Sequence, residues 1–228
     1  MHIKMNKMPE KRGQKENLVN YTDWYNFVYE ISRYYMSKAE KTRQFIVEKT
    51  APIFNKKGYA GTSISDMTEA TGLTKGSIYG NFANKDEVAL AAFDHNVKKV
   101  IALIRAEMEK KKTIREKLLV YAEVYNNPHG FPDGGCPILN TAVESDDTHD
   151  ALKKKVADII LSWKDLIISL LRQGIENKEF KEIADPEQTA LSIIATIEGG
   201  IMIARVTGRP HYRKQVLDHV EKMIRALK

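Results

Sequence analysis

Thr62 to Val88, TSISDMTEATGLTKGSIYGNFANKDEV, sets two short apolar patterns on either side of a glycine. Ser63 and Asp66 have capping-box spacing, in which the hydroxyl accepts the third residue's N–H and the acid bonds back. A helix over 64–70 is expected after them. Thr-Gly-Leu then supplies a turn, since Gly72 takes positive φ without a Cβ penalty. Thr74 caps a second short helix, KGSIYGNF, and Asn84 caps a long one with Asp86 and Glu87 in its first turn, where the macrodipole favours acids. Two short helices joined through a glycine turn make a helix-turn-helix. Ile64, Met67, Leu73, Ile78 and Phe82 form its inner face, which leaves Thr74, Lys75, Ser77, Tyr79 and Asn81 outward. These are the hydrogen-bonding and cationic groups that entry into a DNA major groove requires. Free N–H groups at helix starts suit phosphate oxygens, which adds Thr62 and Ser63. Spacing alone leaves a second reading open, a helical hairpin with a polar surface.

Outward from this stretch the chain reads as helix nearly throughout, with no strand alternation. A preceding helix over 38–57 ends at KKGY, with Gly58 suited to a left-handed cap and Pro52 expected to bend it. Val88, Ala92, Phe93, Val97, Val100, Ile101, Ile104 and Met108 form one buried stripe on the long helix. The pattern repeats over 114–125 and 156–175. Asp185 and Pro186 open another helix as cap and first residue, and a last one covers 212–227. NNPHGFPDGGCP (126–137) and TGRPH (207–211) are loops. Residues 1–35 begin polar and patternless and turn aromatic. A disordered or dispensable extension is expected there, or a start placed too far upstream, because Met36 directly precedes the first recognisable element.

Composition narrows the function. The chain has 228 residues, 43% apolar and 29% charged, with a formal net charge of +6, a modest pointer to a polyanionic partner. Residues 36–85 hold eight Lys/Arg against four Asp/Glu. The single cysteine, Cys136, excludes an internal disulfide and fits a cytoplasmic setting. No secretory signal is visible, and the greasiest run, Ile159 to Leu171, is broken by Lys164 and Asp165, so no membrane partner is expected. The six histidines form no H-x-x-x-H pair, and there is no nucleophile elbow, Walker loop or dinucleotide fingerprint. The expectation is no enzyme, no metal and no cofactor.

Gly58, Tyr59, Thr62, Ser63, Asp66, Ala70, Gly72, Lys75, Gly76, Tyr79, Phe82, Lys85 and Asp86 together closely resemble the DNA-binding domain of the tetracycline-repressor (TetR) family of bacterial transcription regulators. More weakly, GIENKEFKEIADPEQTALSIIATIEGGIMIAR resembles the late part of that family's C-terminal domain, and GGCPILNTAVESDD a motif of its multidrug-resistance regulators. Asn81 stands where the family commonly has His and Gly80 where it often has a bulky residue, so the recognition helix is smaller than usual.

The resemblance implies an all-α protein with a three-helix helix-turn-helix domain (36–85) and a helical effector-binding and dimerisation domain (86–228). It implies a homodimer on double-stranded operator DNA, most simply a repressor released by a small-molecule effector. Control by a protein partner, or without a ligand, is the alternative. DNA contact then falls to Thr62, Ser63, Thr74, Lys75, Gly76, Ser77, Tyr79, Asn81 and Lys85, with Gly76 acting through close backbone approach. Tyr121, Tyr125, Trp163 and Met202 are candidates for an effector pocket, although each also fits ordinary core, and Asn140 and Glu144 could add polar contacts. Gly199 and Gly200 cost helix propensity, which close approach of a partner helix explains. With Ile197, Val216, Val220 and Met223 they are the candidate dimer residues. Cys136, near a helix start, is either a reactive thiol or a small packing residue.

Overall fold

The computed structural model describes residues 37–127, 129 and 131–227, and the extension expected over 1–35 lies outside them. Among the described residues there are nine helices and no strand. They are α1 (Lys38–Gly61), α2 (Ile64–Thr71), α3 (Lys75–Tyr79), α4 (Lys85–Met108), α5 (Ile114–Asn126), α6 (Pro137–Ser145), α7 (Asp150–Glu176), α8 (Pro186–Thr207) and α9 (Pro210–Arg225).

The capping chemistry forms as its spacing requires. Ser63 and Asp66 make the reciprocal box at the start of α2, Gly72 closes that helix at φ 67, and Thr74 and Asn84 cap α3 and α4. Met67, Ile78 and Phe82 are buried with Ile46, Ala51 and Phe54 of α1, while Ile64 and Leu73 pack half-buried on the same cluster. Each buried side chain of this size contributes roughly 1.5–3 kcal/mol. Val88, Ala89 and Ala92 belong to this cluster as well. The first turns of α4 therefore complete the core of the head, beyond the boundary at residue 85.

Gly58 is not the left-handed cap expected of it. It sits at φ 74, ψ 179, a region essentially reserved for glycine, and α1 is two helical stretches meeting at that kink. A Cβ there would overlap the Glu144 carboxylate.

The larger core spans α4 to α9, with α8 at its centre through Ala190, Ile193, Ile194, Ile197 and Ile201. Several residues expected at a dimer surface are instead internal. Ile197 and Val220 are wholly buried, and Met223 packs against the same core. Gly200 is small because Val216 of the same chain crosses it: an added Cβ would lie 2.9 Å from the valine Cβ. Gly199 differs, because nothing lies within 4 Å of the position its Cβ would take. It belongs to an open stripe on the other flank of α8, with Leu191, Met202, Ile203 and Val206 all exposed, the last by 80%. Among the described residues α8 is the only helix long and apolar enough by composition to cross a membrane. Its apolarity is divided here between the core and that stripe.

Candidate nucleic-acid interface and effector cavity

The start of α3 projects from the head with Thr74, Lys75, Gly76 and Ser77 all exposed. Ile78 at 0% and Phe82 at 1% exposure anchor it from below. Thr74 Oγ1 accepts the Ser77 N–H at 3.1 Å, which fixes the direction of the first turn. At Gly76 a Cβ would meet only Thr74 Oγ1, at 3.8 Å. Nothing inside the chain demands a glycine there, so any demand comes from outside it. Asn81 is half-buried, and its amide nitrogen donates to the Ser77 carbonyl at 2.9 Å. Arg43 of α1, which sequence reasoning passed over, clamps this end. Its guanidinium lies 4.0 Å over the Phe82 ring and donates to the Asn81 carbonyl and to Glu87.

Around the same surface, Lys85 places its ammonium 4.4 Å from the Tyr59 ring centroid, and Lys75 reaches to 6.0 Å over half-buried Tyr79. Tyr59 donates to Asp86, and that bond, with burial, pushes the phenol up to about 12, so it stays protonated. Ser63 is exposed, but its hydroxyl and N–H both bond Asp66. Asp66 in turn is held well below the usual carboxylate range by Lys57 and by those Ser63 bonds. Thr62 is a correction. It is wholly buried, its hydroxyl donates to the Gly58 carbonyl at 2.6 Å and its N–H to the Tyr59 carbonyl at 3.4 Å, so it closes the kink near the end of α1 and presents neither group to a phosphate.

Between α4, α5 and α7 lies a cavity of about 380 Å³. Val100, Ile104, Tyr121, Tyr125, Trp163 and Leu170 wall it, and Arg105, Lys117 and Glu109 also line it. Tyr125 and Trp163 stack with centroids 5.7 Å apart at 14°. The Tyr121 hydroxyl and Trp163 Nε1 are buried and, among the described residues, have no partner beyond their contact with each other, which leaves the phenol proton without an acceptor among apolar walls. Burial also drives the Tyr121 phenol well above its ordinary range.

The other three pocket candidates lie elsewhere. Met202 is 46% exposed on the open stripe of α8. Asn140 and Glu144, one turn apart on α6, join the body to the head. Glu144 accepts the N–H groups of Tyr59 at 2.7 Å and Ala60 at 2.8 Å. Asn140 donates to the carbonyls of Asn55 at 3.0 Å and Gly134 at 2.9 Å. Asn55 donates on to the carbonyls of Asp133 and Gly135. Both are spent on backbone groups at the end of α1.

Cys136 is 1% exposed, and its Sγ lies 3.0 Å from Glu198 Oε1. Burial, then the Glu198 charge, push the thiol well up, against which the N–H groups at the start of α6 work only weakly. A protonated, enclosed thiol is the poorer nucleophile. Burial likewise pushes the Glu198 carboxyl up to about 7.

Comparison with known proteins covers both halves of the chain. Residues 46–92 match the sequence model of bacterial regulatory proteins of the tetR family, and residues 112–220 that of the tetracyclin repressor-like C-terminal domain. The crystal structure of a TetR-family transcriptional regulator from Cytophaga hutchinsonii is 50% identical, covers 85% of this chain and 98% of its own, and superposes with a TM-score of 0.82. The transcriptional repressor DhaR of a Mycobacterium species is 24% identical over 166 residues, 72% of this chain and 82% of the repressor. The regulator FadR of Bacillus subtilis, solved in complex with stearoyl-CoA, is 20% identical with a TM-score of 0.63, over 78% of this chain and 96% of its own. That last likeness is one of fold.

Proposed function

The chain belongs to the TetR family of bacterial DNA-binding transcription regulators, and we propose that it acts as a homodimeric repressor released from its operator by an apolar small molecule. The observation that carries the DNA half is Gly76. It is a glycine on an exposed helix start, between Lys75 and Ser77, where an added Cβ would make only an ordinary 3.8 Å contact with Thr74 Oγ1. A glycine there leaves room for a sugar–phosphate backbone or base edge to approach the helix closely. The flanking Thr74, Lys75 and Ser77 supply a hydroxyl, a cation and a second hydroxyl for the groove, while Lys85 is placed for phosphate. Tyr79 and Asn81 are half-buried and contribute at the margin.

The open stripe on α8 supports dimerisation. Leu191, Gly199, Met202, Ile203 and Val206 form an apolar flank that a second copy covers by two-fold symmetry. Two recognition helices are then set roughly 34 Å apart, one turn of DNA. For release, the aromatic cavity beside Tyr121 and Trp163 supports a ligand over control by a protein partner, because an apolar molecule with one acceptor answers the Tyr121 phenol proton that the walls leave unmet. Such a ligand opens the complex only by binding the non-DNA-binding arrangement better. The fold relative was solved with stearoyl-CoA, and the acyl chain of that molecule is the kind of apolar body the cavity would take.

Fluorescence anisotropy at one fixed salt concentration tests this reading. DNA from upstream of the protein's own gene is compared with a shuffled fragment, with and without decanol. Preference for the native fragment, weakened by decanol, is expected. Equal, weak and steeply salt-dependent binding to both fragments would defeat the operator assignment. Preference untouched by decanol would defeat release by a simple apolar molecule.

A further inference from the structure

A second cavity, of about 450 Å³, lies behind the loop 131–136 and beside the turn from α8 to α9. Its character is the reverse of the first. Arg205 and Arg213 both line it, neither makes an ion pair among the described residues, and Arg213 Nε is buried with no hydrogen-bond partner. Asp133, also at the wall, faces away to Lys56 at 3.0 Å and is 70% exposed, so it does not neutralise them. Pro210 opens the cavity to the start of α9, a 16-residue helix with no acidic residue in its first turn and no side-chain cap. Two guanidiniums and a helix N-terminus thus line one space with no anion among the described residues to answer them, and the buried Arg213 Nε is left without a partner.

The loop is shaped around one of these arginines. Gly135 sits at φ 93, and a Cβ on it would overlap the Arg205 guanidinium. Gly134, at φ 100, would place its Cβ 2.8 Å from the Asn55 carbonyl oxygen. One glycine thus lets Arg205 lie flat along the loop, and the next lets the loop close on α1.

We propose that this second cavity is an oxyanion site, which takes a carboxylate or phosphate group between Arg205 and Arg213. The planar fork of guanidinium matches either group with paired charge-assisted hydrogen bonds. Tyr125 walls both cavities, so the anion arrives either free or as the acid end of a molecule whose apolar body fills the first. The site needs neither DNA nor the release mechanism, and calorimetry on the protein alone tests it whatever becomes of that reading.

Inorganic phosphate, decanoate and decanol are the three probes, on wild type, Arg205→Gln and Arg213→Gln. Melting curves check that both variants fold. Decanoate is expected to bind wild type, each variant weakening it by about tenfold or more, while decanol is indifferent to both substitutions. Phosphate binding with the same arginine dependence identifies a free anion, and its absence identifies the amphiphile's acid end. The proposal falls if neither anion binds wild type at low millimolar concentration or if the variants leave anion binding unchanged. It falls equally if the variants change only the oligomeric mass, since the arginines then serve a second copy of the chain.

Discussion

At the scale of single residues, Gly76 and Glu198 separate binding from folding. Gly76→Ala places a methyl in open space and adds helix propensity worth about 0.5–1 kcal/mol. The expected outcome is a protein at least as resistant to urea as wild type that has lost operator affinity in the anisotropy assay. Glu198 concerns stability alone. Its carboxyl titrates near 7 when folded against an ordinary 4.5, so the folded chain keeps a proton that the unfolded chain releases. Stability therefore falls as pH rises from about 4.5 to about 7 and stays lowered above that. Glu198→Gln removes the slope and gains up to about 3 kcal/mol near pH 8, as urea titrations across that range will show. The caps around Ser63, Thr74 and Asn84 were legible in sequence because their partners lie three residues away. Thr62 was assigned to phosphate through an N–H expected to be free before a helix start, but the turn at Gly58 brings the Tyr59 carbonyl to that N–H at 3.4 Å and the Gly58 carbonyl to the hydroxyl.

At the scale of elements, α6 does more than a nine-residue helix of this composition announces. Its Glu144 holds two N–H groups 84 and 85 positions away, and its Asn140 reaches as far. No local pattern marks such partners, so both residues read as pocket or surface from sequence. Glu144→Ala strips the acceptor from a part-buried Tyr59 N–H, at a cost of about 1–3 kcal/mol. Hydrogen exchange at Tyr59 and Ala60 is expected to speed up while the amides of Ile193 and Ile197 keep their protection. Equal acceleration at all four would mean that Glu144 supports the whole fold rather than the junction. Helix α8 carries a related lesson. Gly199 and Gly200 look alike in sequence, yet one faces Val216 of its own chain and the other faces out. Helical periodicity gives the two faces but does not say which neighbour lies on each.

At the scale of the whole molecule, the described residues leave the flank of α8 uncovered. Val206→Glu alters a side chain that is 80% exposed and is expected to leave the melting curve of the isolated subunit intact. Sedimentation should then register half the wild-type mass, and affinity for a two-half-site operator should fall towards that of a single half-site. Val220→Glu, 14 residues later and wholly buried, should instead unfold the chain, because an unpaired charge in a core costs several kcal/mol. An unchanged mass for Val206→Glu would move the interface elsewhere. The all-α architecture was open to sequence reading throughout, since every long helix carries its stripe. The first cavity was legible in part, through Tyr121, Tyr125 and Trp163, but its extent and the whole of the second were not, because a void depends on how far apart packed segments sit.

The enclosed thiol of Cys136 has a practical corollary. The chain's single cysteine is buried and protonated, so a thiol-reactive dye finds no purchase on the native protein. A cysteine introduced at an exposed position, Ser77 for the groove-facing helix or Glu109 beside the apolar chamber, becomes in kinetic terms the only handle on the molecule. Spectroscopic rulers between the two copies of a dimer can then be installed without first engineering the native sulfur away. The slow labelling of Cys136 itself becomes a clock for opening of the body.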